Sequence, residues 1–184
     1  YSIDESFIGL QGMRGDLTKR SRAIRERIDR WVGIPCGVGI GQTKTLAKLA
    51  NYIAKTAERK PGSYPHELAQ VCNLTTLPAQ DLDDVLAATL VEEVWGVGRK
   101  IGAQLHECGI HTVLDLARMD PATIRRRWSV VLERTVRELQ GNIGAFHGLI
   151  RPFVGPVIVK ARHQHLAALF RRGLRAGRVA EKGF

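Results

Sequence analysis

Residues 36–58 read CGVGIGQTKTLAKLANYIAKTAE, and their pattern changes abruptly after Gly41. Up to that point glycines alternate with Val38 and Ile40, which predicts a short, glycine-rich strand. From there on, apolar side chains recur at spacings of three and four residues, so we expect a helix from about Thr43 to Glu58. A strand, a tight turn and a helix N-terminus in this order are typical of an anion site.

The predicted helix has two chemically different faces. Lys44, Lys48 and Lys55 are four and seven residues apart and share one face. The apolar side chains lie mostly on the other face: Leu46, Leu49, Ala50 and Ile53. An anion-binding face and a solvated surface both fit this pattern. A P-loop is excluded, because Val38 and Thr43 stand where its two glycines are needed.

The chain begins with a strand-like run, Tyr1–Phe7, that carries the adjacent carboxylates of Asp4 and Glu5. Period two puts Glu5 on the same face as Phe7 and two other apolar residues. A carboxylate on an apolar face is costly unless it is paired or holds a cation. A solvated strand end is the alternative interpretation of these residues taken by themselves.

A helix is predicted between the two strands, and a string of short helices after them. Residues 16–31 place Ile24, Ile28 and Trp31 on one face. The Arg-Lys-Pro-Gly-Ser loop at residues 59–63 is the predicted domain boundary. Beyond it we expect helices at about residues 78–88, 91–94, 99–107, 113–118 and 130–140, and another that begins with Asp120 as N-cap and Pro121 in its first turn.

The segment Trp95–Lys100 reads WGVGRK and predicts a helix-hairpin-helix turn. Two glycines frame the turn, so backbone N–H groups point outward. Arg99 and Lys100 follow at a helix start, where the helix dipole disfavours positive charge unless an anion lies over the same turn. A DNA phosphate satisfies both conditions. A plain turn between two helices is the alternative.

Composition excludes several classes of protein. The three cysteines are far apart, which argues against a disulfide scaffold and favours a cytoplasmic location. No apolar run approaches the ~20 residues that a membrane helix needs, so no membrane partner is expected. The net charge of +10 is weak support for a nucleic-acid partner, because residues 142–184 contain eight basic residues against one acidic residue. No zinc-type ligand set or nucleophilic motif is convincing; His106, Cys108 and His111 lack a fourth ligand.

Taken together, these segments resemble the Y-family translesion DNA polymerases, specifically their UmuC branch. The resemblance covers essentially all of residues 1–141. It rests on YSIDE (1–5), GVGIGQTKTLAKLAN (37–51), VWGVG (94–98), TVLDLA (112–117) and VVLERTVRELQG (130–141).

The resemblance implies a role for each matching position. Asp4 and Glu5 look like catalytic, metal-binding carboxylates that act with two Mg2+ ions near the primer 3′ end. Lys55 aligns with the family lysine that contacts the incoming deoxynucleoside triphosphate. Gly96, Val97 and Gly98, followed by Arg99 and Lys100, would bind the backbone of primer–template DNA. The family also implies a UmuD-type accessory subunit, RecA and a sliding clamp as partners in the SOS response.

The implied fold class is α+β. We expect a partial palm domain at residues 1–66, with an antiparallel or mixed sheet and two packed helices. An all-α thumb with the helix-hairpin-helix is expected at residues 67–141. Residues 142–184 do not resemble the family and are predicted to be an irregular basic tail, either non-homologous or frameshifted; a novel DNA-binding arm is the alternative.

The resemblance also implies missing parts. The family's palm begins with a strand that carries another metal-binding aspartate, followed by the fingers, and neither matches any part of this sequence. We therefore expect the chain to look truncated and not to extend a primer by itself. A non-catalytic, sequence-independent DNA-binding module that uses the thumb hairpin is the alternative function.

Overall fold

The structure, a computed structural model, describes residues 5–141 and the backbone of residues 157–160. The strands within these ranges are β1 (Glu5–Ile8), β2 (Gly37–Ile40), β3 (Val71–Asn73) and β4 (Val157–Lys160). The helices are α1 (Leu17–Val32), α2 (Lys44–Arg59), α3 (Ala79–Ala87), α4 (Arg99–Glu107), α5 (Val113–Ala117), α6 (Pro121–Arg127) and α7 (Val130–Leu139).

These strands form one mixed sheet in the order β1-β4-β2-β3. Strand β4 is antiparallel to both of its neighbours, whereas β2 and β3 are parallel. Glu5 of β1 and Gly37 of β2 are both paired with Lys160 of β4, so they lie in one row across the sheet. Because paired residues point to the same side of a sheet, Glu5 and Gly37 share a face.

The alternation in β2 determines how the two long helices pack. A Cβ atom on Gly39 would lie 2.2 Å from the backbone N of Asn51, so α2 approaches this face of β2 as closely as only glycine permits. Val38 and Ile40 point to the opposite face and are fully buried in a cluster with Ile24 of α1. Helices α1 and α2 therefore cover opposite faces of the sheet.

Helix α1 confirms the predicted helix, and Asp16 caps it by accepting a hydrogen bond from the Lys19 N–H. Ile24 and Ile28, on the predicted apolar face, are buried. Trp31 was assigned to the same face but is 67% exposed and lies under the Arg27 guanidinium. It stands in the last turn of the helix.

A second apolar cluster joins α2 to the helices that follow β3. Helices α3, α4, α5 and α7 agree with the sequence-based prediction to within about two residues, whereas the helix predicted at residues 91–94 is a short 3-10 helix, Val91–Glu93. Asp120 is the N-cap of α6 and Pro121 lies in its first turn, as predicted. Thr112 and Asp115 form a reciprocal capping box at the start of α5.

Two strands were not predicted. Strand β3 has only three residues and lies beyond residue 66, the end of the predicted palm. Strand β4 comes from the segment that was expected to be irregular, and its sequence VIVK carries β-branched residues that favour a strand. Both strands pair with segments far away in the sequence, β3 with β2 and β4 with β1 and β2, so their pairing could not be read from the local pattern. The palm and thumb assignments stay predictions.

Candidate functional site

The Glu5 carboxylate, one of the predicted catalytic groups, lies against α2. Its Oε2 atom is 2.9 Å from the Lys48 Nζ atom. The Glu5 side chain is only 8% exposed and that of Lys48 is 23% exposed. The ion pair with Lys48 explains how a carboxylate is tolerated on the apolar face of β1.

Aromatic side chains surround this ion pair. The Lys48 Nζ atom lies 4.6 Å from the centroid of the Trp95 ring, within the range of a cation–π interaction. The Phe7 ring centroid is 6.3 Å from that of Trp95, and the Lys44 Nζ atom lies 5.5 Å from the Phe7 centroid. Strand β1, helix α2 and the hairpin at residues 95–100 therefore meet at one place. We call Glu5, Phe7, Lys44, Lys48 and Trp95 the β1–hairpin cluster.

The predicted metal ligands are only partly described. Asp4 lies outside the described residues. Among the residues that the structure describes, no three His, Cys, Asp or Glu side chains come together as a metal site. Carboxylate oxygens are the donors that Mg2+ prefers. The Glu5 donor thus fits the ion in kind, but the described residues do not assemble a metal centre by themselves.

Lys55, the predicted triphosphate ligand, lies further along α2. It is two turns from Lys48, about 10 Å along the helix axis. A Cβ atom on Gly37 would lie 3.2 Å from Lys55 Cγ and 3.3 Å from its Cε, so the side chain crosses β2 at this glycine. Gly37 and Glu5 lie in one row of the sheet, with β4 between their strands. The aliphatic part of the Lys55 side chain, which lies over Gly37, is therefore two strands away from Glu5 on the same face of the sheet.

The predicted hairpin has the backbone that its glycines suggest. Gly96 has φ +93°, a conformation that L side chains rarely adopt. Val97 is buried and anchors the turn in the second apolar cluster. Gly98 is the N-cap of α4 with φ −87°, and a Cβ atom there would meet nothing within 4 Å. The outer surface of the turn is open at Gly98.

The start of α4 combines free backbone donors with positive charge. Gly98 has no side chain with which to cap the first N–H groups of the helix. Arg99 and Lys100 are exposed in the first turn. Backbone N–H groups, the helix dipole and two cations therefore act together at one end of α4, which suits an anion.

The contacts of Lys48 with Glu5 and Trp95 were not predicted from the sequence. Lys48 was assigned to the lysine face of α2 without a specific role, and Trp95 was treated as part of the hairpin sequence. The only sequence signal for Lys48 was its spacing from Lys44 and Lys55. Its two partners are remote in the sequence, so only the tertiary packing identifies them.

The rejected metal ligands make other contacts. The Nε2 atom of His106 is 3.0 Å from Oε1 of Glu92, and its ring meets that of His111 edge-on with centroids 4.9 Å apart. Cys36 and Cys72 are buried and Cys108 is exposed, all as free thiols. Within the described part of the chain, no helix is both long and apolar enough to cross a membrane.

Comparison with known proteins gives consistent matches. Residues 1–52 match the impB/mucB/samB family. The chain is 46% identical to protein UmuC of Salmonella typhimurium over 144 residues, which are 77% of this chain and 32% of that protein. It is 43% identical to protein MucB of Escherichia coli over 144 residues, again 77% of this chain and 32% of the relative.

A more distant match is DNA polymerase IV of Moorella thermoacetica, 31% identical over 134 residues, which are 71% of this chain and 30% of the relative. The chain thus spans about a third of the length of the curated relatives that it matches. No solved structure matches it. These matches confirm the resemblance drawn from the sequence motifs: the chain belongs to the impB/mucB/samB family, in the UmuC branch of the Y-family DNA polymerases.

Proposed function

We propose that this chain contributes the acidic strand and the DNA-binding hairpin of an error-prone translesion DNA polymerase of the SOS response. The reaction is template-directed nucleotidyl transfer past damaged bases. One observation carries the proposal: Trp95 of the hairpin packs on Lys48, which is paired with Glu5 of the acidic strand. A turn suited to a DNA phosphate and a carboxylate suited to a divalent ion are thereby adjacent.

In this proposal, Asp4 and Glu5 hold Mg2+ through their carboxylate oxygens. Divalent ions bound there would activate the primer hydroxyl and neutralise the leaving pyrophosphate. Lys48 compensates the charge of Glu5 in the protein without the ion. Lys55 binds the triphosphate of the incoming deoxynucleotide, since its ammonium is carried on the same face of the sheet as Glu5.

We further propose that residues 1–66 are the later part of a palm, that β3, just beyond this boundary, belongs to the same palm sheet, and that the helices from there to residue 141 form a thumb. The hairpin of the thumb binds the duplex backbone through the N–H groups around Gly98 and through Arg99 and Lys100. A UmuD-type subunit, RecA and a sliding clamp are proposed partners by family membership. A cytoplasmic location stays a prediction from the cysteines.

Duplex binding tests the hairpin. Gly98→Val should keep the fold, because the site is open and the φ angle suits any residue, but its methyl groups would occupy the approach of a phosphate. We expect roughly a tenfold loss of affinity for a duplex of arbitrary sequence, measured by fluorescence anisotropy at low salt.

The charges are tested by Arg99→Gln combined with Lys100→Gln. If both contact phosphates, the slope of log affinity against log salt should fall in magnitude by about 2. The matched control is Arg14→Gln combined with Lys19→Gln, which removes the same charge from exposed positions before and within the first turn of α1. An equal loss in both double variants would mean that net charge, and not the hairpin, binds the DNA.

The second candidate is a non-catalytic DNA-binding module. It is favoured by one observation: exposed Arg99 and Lys100 stand beside the open Gly98 at the start of α4, an arrangement that suits a phosphate without any metal centre. The two candidates differ in nucleotide binding. The polymerase proposal predicts that a deoxynucleoside triphosphate with Mg2+ binds the chain and that Lys55→Met weakens this, whereas exposed Lys60→Met does not. Duplex binding without nucleotide binding would support the module.

A further inference from the structure

Lys48 makes two contacts that join separate parts of the chain. Its ammonium donates a hydrogen bond to Glu5 Oε2 at 2.9 Å, and the same atom lies 4.6 Å from the centroid of Trp95. Glu5 belongs to β1, and Trp95 is the first residue of the hairpin. One cation therefore lies between the acidic strand and the hairpin.

The burial of the Glu5 side chain explains why its carboxylate needs a cation as partner. The Glu5 side chain is more than nine-tenths buried, so its ionised carboxylate depends on a nearby cation. An indole ring over an ammonium replaces part of the hydration that the ammonium loses on burial. The Trp95 ring, itself 41% exposed and supported by Phe7, is the part of this assembly nearest to the hairpin turn. The position of Trp95 thus bears directly on where the Lys48 ammonium is most stable.

We propose that Lys48 is a positioning residue through which the DNA-binding hairpin controls the orientation of the Glu5 carboxylate. A shift of the hairpin moves the Trp95 ring, the ring changes the preferred position of the ammonium, and the ammonium carries the carboxylate with it. By thermodynamic linkage the effect is reciprocal, so the state of Glu5 also affects the hairpin. This inference rests on the proposed function of the hairpin and of Glu5.

Fluorescence of Trp95 provides a test that does not need polymerase activity. Trp31→Phe and Trp128→Phe leave Trp95 as the reporter, since the chain contains three tryptophans. In this background Lys48→Met should shift the emission of Trp95 and Lys48→Arg should restore it in part, because Arg keeps the charge and the cation–π contact. Lys60→Met removes an exposed lysine at the end of the same helix and should leave the emission unchanged.

The decisive measurement is a double-mutant comparison. Glu5→Gln should shift Trp95 emission when Lys48 is present and should have no effect in the Lys48→Met background, because Lys48 transmits the change. An equal effect of Glu5→Gln in both backgrounds, or no effect in either, would overturn the proposal. Circular dichroism of each variant checks that the helices are retained.

A second test of the proposal uses duplex DNA. Saturating duplex should shift Trp95 emission, and Glu5→Gln should alter duplex affinity only when Lys48 is present. If Gly98→Val binds the duplex as tightly as the unchanged chain, the proposed function of the hairpin fails, whatever the fluorescence shows. If Gly98→Val weakens binding but Glu5→Gln acts independently of Lys48, only the positioning role of Lys48 fails.

Discussion

The Glu138 carboxylate near the end of α7 accepts two hydrogen bonds from Thr45 in the first turn of α2. Glu138 Oε2 is 3.0 Å from the Thr45 backbone N and 2.7 Å from its hydroxyl oxygen. The Thr43 hydroxyl donates to the Glu138 carbonyl oxygen at 3.0 Å as well. The charge of Glu138 also complements the positive end of the α2 dipole. The last described helix thereby caps the helix that carries Lys48 and Lys55.

Replacing Glu138 should destabilise the chain measurably. We expect Glu138→Ala to lower the free energy of unfolding by about 2 kcal/mol, because it removes two charge-assisted hydrogen bonds at a partly buried site. Urea unfolding measures this. Glu107→Ala, at an exposed position in α4, is the control and should cost little. Equal stability of the two variants would contradict the capping role.

Gly39→Ala should be among the most damaging single changes. The added Cβ atom would lie 2.2 Å from the Asn51 backbone N and 2.3 Å from the Ala47 carbonyl oxygen, so α2 would have to move away from β2. We expect a loss of at least about 3 kcal/mol in thermal or urea unfolding. The same substitution at Gly9, where a Cβ atom meets nothing within 4 Å, should be nearly neutral. Similar effects at both glycines would show that close packing is not the cause.

Thiol reactivity should separate the three cysteines. Burial raises the pKa of Cys36 to about 11 and that of Cys72 to about 12. The reactive thiolate is therefore scarce at both residues near neutral pH, whereas Cys108 is exposed. Labelling the folded chain with a thiol reagent at pH 8 should modify Cys108 rapidly, and Cys108→Ser should abolish that fast phase. Rapid modification of two or three thiols before unfolding would contradict the described packing.

Acid stability should depend on Asp115. Hydrogen bonds, first from the Thr112 backbone N–H, hold the pKa of this carboxyl below its usual range. A carboxyl with a lower pKa in the folded state stabilises the fold above its unfolded pKa, and this contribution is lost as the pH falls through the folded pKa. Asp115→Asn should therefore lower the free energy of unfolding at neutral pH, and this free energy should fall less steeply below about pH 4 than in the unchanged chain. Denaturant unfolding at several pH values measures this. The same steepness in both proteins would contradict the prediction.

The local sequence was sufficient to predict where most of the helices lie. Most of their ends are marked by residues with a direct effect on the backbone, such as Asp16 before α1, Thr43 before α2 and Pro121 in α6. The turn at Gly96 could be predicted for the same reason, since its positive φ angle is one that glycine tolerates. Signals of this kind act over a few residues and survive in an isolated segment.

The sheet was harder to predict, because pairing joins distant segments. Strand β4 is paired with β1 and β2, which lie more than 100 residues earlier in the sequence. Trp31 shows the converse problem, since it shares a helix face with buried residues and yet is 67% exposed. Neither the pairing of strands nor the burial of a side chain can be read from local periodicity.

The candidate site divides in the same way. The sequence by itself determined the family, the acidic pair at residues 4–5, the lysine face of α2 and the hairpin, because each is a short motif with its own chemistry. Tertiary packing alone joined Lys48 to Glu5 and Trp95, and Thr45 to Glu138. The physical reason is that a buried charge takes its partner from whichever element folding brings within about 3 Å, and that choice depends on the assembled core.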